Sequence, residues 1–440
     1  NAFNDINGVP ATASVMLQRD ILKRDWGFKG FVVSDWGSIG ELVAHGLVAD
    51  KAGAAKAALL AGSDMDMESA AYRAHGASLV KSGQVKQALV DDAVRRVLRK
   101  KFELGLFEDP YRFSNPERER TVLNNPAHRQ AARTMAAKSI VLLKNSPAVL
   151  PIQPEGKTIA FIGPMVKWAE ENNGAWWIWL PGEDYSKLNV SQWDGLKNRL
   201  GPNTRLLYAQ GADHDSARTD GFDEAVAIAR QADVVIVSVG EGPKMAGEAR
   251  SRSRIGLPGV QEQLLKALHA TGKPMVVMVN AGRPLVLEWA AENVPAILCT
   301  WWLGSEAGNA IADVLLGVHN PSARLPISFP RNEGQIPVHY SHLNTGRPAD
   351  TDTGTGFVSH YLDVPTSPRW AFGHGLSYTQ FDHASLALDK PTLAGKGQVT
   401  VSIDVSNTGA VAGDEVVQLY LRQRVASVVQ PVKVLKDFRR

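Results

Sequence analysis

The residues best suited to chemistry sit in one short run, Lys29-Gly-Phe-Val-Val-Ser-Asp-Trp-Gly37. Phe31 to Ser34 is apolar, rich in β-branched residues and bounded by Gly30 and Gly37, the pattern of a short buried strand. The strand ends on an acid, Asp35. In α/β folds ligands bind outside the carboxyl ends of parallel strands, so an acid at that position points into a site. Trp36 offers a flat apolar face on which a sugar ring can stack. The same context allows a plainer role, Asp35 capping the helix that follows, and the pattern alone leaves both open.

Four of the 11 Trp residues, Trp168, Trp176, Trp177 and Trp179, fall in one loop-like stretch. Loops are mostly exposed and poor places to bury aromatic rings. These rings therefore suit a sugar platform or a hydrophobic seam between domains. Other chemistries find less support. Gly240-Glu-Gly242 follows a strand candidate, but Met245 stands where the third glycine of a dinucleotide fingerprint is due, and no ribose-binding acid follows. His45, His319 and His374 lack metal-ligand spacing and read as hydrogen-bonded loop residues. Cys299, in the apolar run Ala296 to Thr300, reads as a small buried hydrophobe. No cofactor and no metal are expected.

Several elements must position these groups. Residues 1–104 alternate helix and strand. Ser14 to Arg24 is predicted as a helix with Met16, Leu17, Ile21 and Leu22 on one stripe. Lys51 to Leu60 is an Ala-rich helix, and Ala61 to Met67 a strand whose Asp64 and Asp66 either line the site or settle turns. A helix capped by Asp92 runs to Leu104, with Ala93, Val94, Val97 and Leu98 inward and Gly105 at its end. Residues 105–127, rich in Pro, Asn, Glu and Arg, read as a linker. A second α/β domain covers residues 128–378. Its strand candidates are Ser139–Leu143, Thr158–Ile162, Thr204–Tyr208, Val234–Val239, Met275–Val279 and Ala296–Thr300. Helices between them, notably Gly221–Gln231, Val260–Thr271 and Ser305–Leu316, predict a parallel sheet covered on both faces. Over residues 379–440 the period changes to two: Val399, Val401, Ile403 and Val405 alternate with polar residues, and a second strand follows at Val416 to Leu421.

A chain of 440 residues, 44% hydrophobic and 21% charged, fits an ordinary globular protein of two or three domains. Net charge is +3 and no run of five like charges occurs, so nucleic-acid and membrane-surface roles have little support. No stretch of 18 apolar residues predicts a membrane span.

Asn7-Gly-Val-Pro-Ala-Thr-Ala13, Leu17-Gln-Arg-Asp-Ile-Leu22 and Asp25 through Gly37, taken together, resemble glycoside hydrolase family 3, most closely its bacterial periplasmic β-glucosidase type. Arg369-Trp-Ala-Phe-Gly-His-Gly-Leu-Ser-Tyr-Thr379 resembles the family's closing motif. The resemblance implies that residues 1–104 are the last quarter of a (β/α)₈ barrel, residues 128–378 an α/β sandwich domain, and residues 379–440 the start of a fibronectin-type-III-like β-sandwich. It also implies a chain truncated at both ends, inactive or poorly folded without the earlier strands.

In this family the Ser-Asp-Trp acid is the catalytic nucleophile, which assigns that role to Asp35. Its partner comes from a loop of the second domain, here Val237 to Pro258. Retention needs two carboxyls about 5–5.5 Å apart, one attacking the anomeric carbon and one protonating the leaving oxygen. The family pattern puts the acid/base a few residues before a Ser-Arg pair, a place that Glu248 matches. Glu241, abutting the strand, is expected to contact the sugar or fix the loop. Arg250, Arg252 and Arg254 raise a difficulty, because guanidinium groups beside Glu248 would lower its pKa when a general acid needs it near working pH. Trp176 matches the family's position opposite the nucleophile-adjacent Trp, so Trp36 and Trp176 are expected to clamp the leaving-group sugar. Phe3 replaces a Tyr whose hydroxyl bonds the nucleophile in many members.

The resemblance therefore implies a retaining, exo-acting β-glycosidase, in the first instance a β-glucosidase acting on β-linked oligosaccharides or aryl and alkyl β-glucosides. The alternatives are a β-xylosidase or other β-glycosidase of the family, or a non-catalytic carbohydrate-binding protein. A periplasmic or secreted location and a homodimer are further expectations of the same resemblance.

Overall fold

The computed structural model describes residues 1–175, 185–349, 352 and 356–440. They form two compact units, Asn1–Leu123 and Asn124–Arg440.

The first unit is mainly helical. Its core is Ile39 and Leu42 packed on Ala54, Ala55, Ala58 and Leu59 of the helix Lys51–Ala61, and on Ala71 and Leu79 of the helix Ala71–Lys81. Asp50 caps the first of these by accepting the Gly53 N–H at 2.7 Å, and Gly62 ends it at φ +104°. The apolar runs ending at Ser34 and Met67 pair as an isolated parallel bridge, Val33 to Met65, rather than as full strands.

Two helix expectations need correction. Met16–Asp25 is wound more widely than an α-helix, with the Trp26 N–H reaching the Ile21 carbonyl at 2.9 Å. Its inward residue is Gln18, whereas Met16 is exposed. The Gln18 amide donates to the carbonyls of Ala11 and Thr12, so a polar group faces the interior where an apolar stripe was predicted. The last long helix is Gln87–Glu103, which puts Asp92 inside it, paired with Arg96 one turn on at 2.9 Å. Of the four positions expected to face inward only Ala93 is buried; Val94 and Leu98 are exposed.

The second unit is built on a six-stranded sheet: β1 (Val141–Asn145), β2 (Thr158–Ile162), β3 (Arg205–Ala209), β4 (Val234–Gly240), β5 (Met275–Asn280) and β6 (Ala296–Cys299). The order across the sheet is β1-β6-β5-β4-β2-β3. Five strands are parallel, but β1 runs antiparallel to β6, with Val141 opposite Cys299 and Asn145 opposite Ala296. The sheet is therefore mixed, not wholly parallel as predicted. Residues 146–157 join β1 to β2 without a helix, so no βαβ crossover dictates the direction of β1.

Side chains alternate between two layers. Ala160, Ile162, Val235, Val237 and Val239 pack against helices Phe222–Gln231, Gln261–His269 and Glu288–Asn293. Ile159, Phe161, Val234 and Ile236 pack against Gln192–Lys197 and Ala307–Leu315. The period-2 alternation of near-continuous apolar runs is what a doubly covered sheet demands. Burial pushes the Cys299 thiol well above its ordinary pKa.

Residues 369–379 close the exposed side of β1. Leu376 N–H donates to the Leu142 carbonyl at 2.9 Å, and Tyr378 hydroxyl donates to the Val314 carbonyl at 2.8 Å. Trp370 meets Phe329 edge-on at 5.9 Å. Covering a sheet edge this way removes a template for pairing with other chains. Two antiparallel hairpins follow, Phe381–Leu388 with Val401–Asn407, and Val417–Leu421 with Val434–Arg439. Leu386, Leu388, Ile403 and Val405 are exposed on the first of these hairpins.

Candidate active site

Each acid singled out in the sequence has its own kind of support. In the first unit, Ser34 N–H donates to the Met65 carbonyl at 2.9 Å, Gly37 N–H donates to the Met67 carbonyl at 2.8 Å, and Met67 N–H donates to Ser34 Oγ at 2.8 Å. Asp35 lies between these anchors with its carboxylate exposed. Its Oδ1 accepts the Trp36 N–H at 2.7 Å. The helix that follows, Ser38–Glu41, has Gly37 at its N-cap and receives no side-chain cap, so Asp35 does not serve as one. The Trp36 ring stands 65% exposed beside it, available for stacking.

The Asp35 segment is backed by Asp64 and Asp66, which settle backbone turns rather than line the site, and by buried polar residues that carry no sequence signal. Asp64 pairs with Lys23 at 2.7 Å, both side chains nearly buried, and accepts the Val32 N–H at 2.8 Å. Burial holds the Lys23 ammonium below its ordinary pKa in spite of that carboxylate. Asp66 Oδ2 accepts from Ala71 N–H and Tyr72 N–H at 2.7 and 3.1 Å and so starts the next helix. Both acids thus hold backbone N–H groups, Asp64 while also paired with Lys23. Thr12, Gln18, Ser38 and Ser63 are buried and joined by hydrogen bonds, Thr12 to Ser38 at 3.0 Å and Ser63 to Gln18 at 3.0 Å. Arg96 donates to the carbonyls of Phe28 and Gly30 at 3.1 and 2.8 Å, fixing the approach to the segment. Short polar residues scattered among turns carry no periodic signal, which is why pattern reading passed over them.

In the second unit the acidic loop leaves the end of β4. Gly240 sits at φ +138°, and a Cβ there would lie 1.8 Å from the Asn280 carbonyl oxygen. Only glycine allows β4 and β5 this approach. Glu241 N–H then donates to the same carbonyl at 2.8 Å. The Glu241 side chain is wholly buried and bound by two arginines, Arg252 at 2.6 Å and Arg283 at 3.1 Å. Of the two roles expected for it, this geometry describes a group fixing the loop; no part of it reaches the surface for a sugar to touch.

Glu248, by contrast, lies exposed at the tip, flanked by Gly247 at φ +105° and Ala249 at φ +56°. Among the described residues it forms no ion pair. Of the three arginines expected beside it, Arg252 binds Glu241 at 2.6 Å and Arg250 donates to the Ala249 carbonyl at 3.1 Å.

Trp176, Trp177 and Trp179 lie outside the described residues. Trp168 is half exposed and stacks obliquely on His214 at 4.5 Å, and burial holds His214 below its ordinary pKa. Among the described residues no three His, Cys, Asp or Glu side chains converge as metal ligands, and no helix is long and apolar enough to cross a membrane.

Residues 1–100 match the glycosyl hydrolase family 3 N-terminal domain, and residues 140–378 match the C-terminal domain of the same family. The chain belongs to glycosyl hydrolase family 3. Among its relatives in the family, a periplasmic β-glucosidase of Salmonella typhimurium is 44% identical over 99% of this chain and 60% of its own length. A β-xylosidase of Formosa agariphila is 38% identical, with the same shares. The crystal structure of a β-glucosidase from Listeria innocua superposes with a TM-score of 0.93 at 36% identity, covering 100% of this chain and 59% of that one. The same Listeria protein has been solved with glucose, and its D270A mutant with laminaribiose. The chain thus spans about 60% of the length of the curated relatives it matches.

Proposed function

We propose that this family 3 chain carries the two catalytic carboxyls of a retaining, exo-acting β-glucosidase. Asp35 attacks the anomeric carbon and forms a glycosyl-enzyme, expelling the leaving oxygen as Glu248 protonates it. Glu248 then takes a proton from water, which attacks the same carbon and releases the sugar with its configuration retained. The observation that carries the reading is Asp35 itself, an exposed carboxylate pinned at the end of a bridged segment and not used as a helix cap. Trp36 supplies the stacking face for the sugar, with Trp176 as its expected partner.

The relatives support glucose as the sugar, and the Formosa β-xylosidase keeps xylose as the second candidate. Residues 1–104 are read as the closing part of a (β/α)₈ barrel, and residues 379–440 as the opening strands of a fibronectin-type-III-like sandwich. A periplasmic setting follows the Salmonella relative.

The test is Asp35→Gly, assayed on nitrophenyl β-glucoside and β-xyloside. Turnover should fall by about 10⁴-fold or more, the order expected when a covalent nucleophile is removed. Added azide should restore part of it as a glycosyl azide of inverted configuration. Unchanged turnover would end the reading of Asp35 as the nucleophile, whereas absence of turnover in the unsubstituted full-length protein would favour a carbohydrate-binding protein without catalysis.

A further inference from the structure

Arg283 lies well along the chain from the acidic loop, just past β5, yet its guanidinium closes that loop. Nη2 donates to the Met245 carbonyl at 2.6 Å and to the Arg250 carbonyl at 2.8 Å, three residues before and two after Glu248. Nε donates to Glu241 Oε2 at 3.1 Å. Arg252 takes the other oxygen, Oε1, at 2.6 Å and also reaches the Gly256 carbonyl at 3.1 Å. One buried carboxylate, fixed through Glu241 to the rigid end of β4, thus holds two arginines whose remaining donors grip the loop on both sides of its tip.

The tip needs such a grip. Between Met245 and Arg250 two residues adopt left-handed backbone conformations, Gly247 and Ala249. For Ala249, which carries a Cβ, this conformation is strained and persists only where surroundings impose it. Glu248 has no side-chain partner among the described residues to hold it in place.

We propose that Arg283, anchored by Glu241, is a positioning residue for Glu248: it clamps the loop so that the acid/base carboxyl is presented to the glycosidic oxygen. This rests on the reading of Glu248 as acid/base. A planar guanidinium with several donors in a fixed fork can bind two carbonyls and a carboxylate at once, which a lysine ammonium on a flexible stem cannot reproduce.

The test compares Arg283→Met, Arg283→Lys and Glu248→Gly in the full-length protein, using aryl β-glucosides that differ in leaving-group pKa. kcat/KM reports formation of the glycosyl-enzyme. A dinitrophenolate leaves without protonation, whereas a phenolate of high pKa needs the acid. Glu248→Gly should lower kcat/KM by about 10²–10⁴-fold on the poor leaving groups and little on dinitrophenyl glucoside. Arg283→Met should follow the same slope at about 10–100-fold, and Arg283→Lys, which keeps the charge beside Glu241 and so protects folding, should show a smaller loss of the same kind. Equal losses on every substrate, or none, in both Arg283 variants while Glu248→Gly keeps its selectivity would overturn the clamp alone. If Glu248→Gly shows no leaving-group selectivity, the acid/base reading fails and the clamp falls with it.

Discussion

The segment bearing Asp35 and the loop bearing Glu248 are held in opposite ways. The Asp35 segment has a single parallel bridge and a few backbone hydrogen bonds behind it, and is braced by side chains: Lys23 and Asp64, the Ser34 hydroxyl, and Arg96 on two carbonyls. The Glu248 loop springs from β4, which is paired on both sides along a fully buried run, and its side-chain clamp begins only beyond the sheet. An acid near a strand end can be set by short polar bonds to its own backbone. An acid at a loop tip needs long side chains that cross the loop.

The largest disturbance should come from Gly240→Ala, which forces a Cβ into the Asn280 carbonyl. A loss of about 3 kcal/mol or more is expected, visible as a lowered denaturation midpoint and as faster amide exchange in β4 and β5. Lys23→Met strikes the other kind of support. It leaves Asp64 nearly buried without its cation, a loss of about 3 kcal/mol concentrated in the first unit. Exchange should rise at Val32, Ser34 and Met65 and stay unchanged in β4. If β4 loosened instead, the contrast between the two supports would be wrong. Adding Asp64→Leu to Lys23→Met should recover much of the loss, since no unpaired charge then remains.

A milder probe is pH. Burial lowers the pKa of His214 and of His374, whose Nε2 lies 3.0 Å from the Leu143 carbonyl. The folded form therefore binds protons less readily than the unfolded chain. The second unit's stability should be fully present above pH ~6.5 and decline as pH falls below it, by no more than about 1.4 kcal/mol per pH unit per histidine. His374→Gln should flatten that decline in a pH series of thermal melts, whereas the first unit's exchange should not follow it. The smallest effect belongs to Asn115→Ala, which removes the cap on the Arg118 N–H at 2.9 Å and should fray Pro116–Val122 at a cost of about 1 kcal/mol.

How much was legible depended on the kind of signal. The sheet strands were readable to within about two residues, because an apolar run with alternating layers leaves little freedom. Asn115-Pro116 and Asn125-Pro126 start two helices within or beside the stretch read as linker; cap and first-turn proline were both present, but neither helix has an apolar run to draw attention to it. The direction of β1 was hidden because pairing direction is set by connections and not by composition. Asp35 and Glu248 stood out through their neighbours in sequence. The role of Glu241 did not, since it depends on Arg283, whose place beside the loop arises only when β5 lies against β4.

That dependence bears on attempts to move specificity between relatives. A graft of residues 242–258 onto another scaffold would carry Arg252 but leave behind both Glu241 and Arg283. Such a chimera would own the right sequence at its tip and lack the fastening that shapes it, so the transplantable module is the loop together with the first turn after its neighbouring strand.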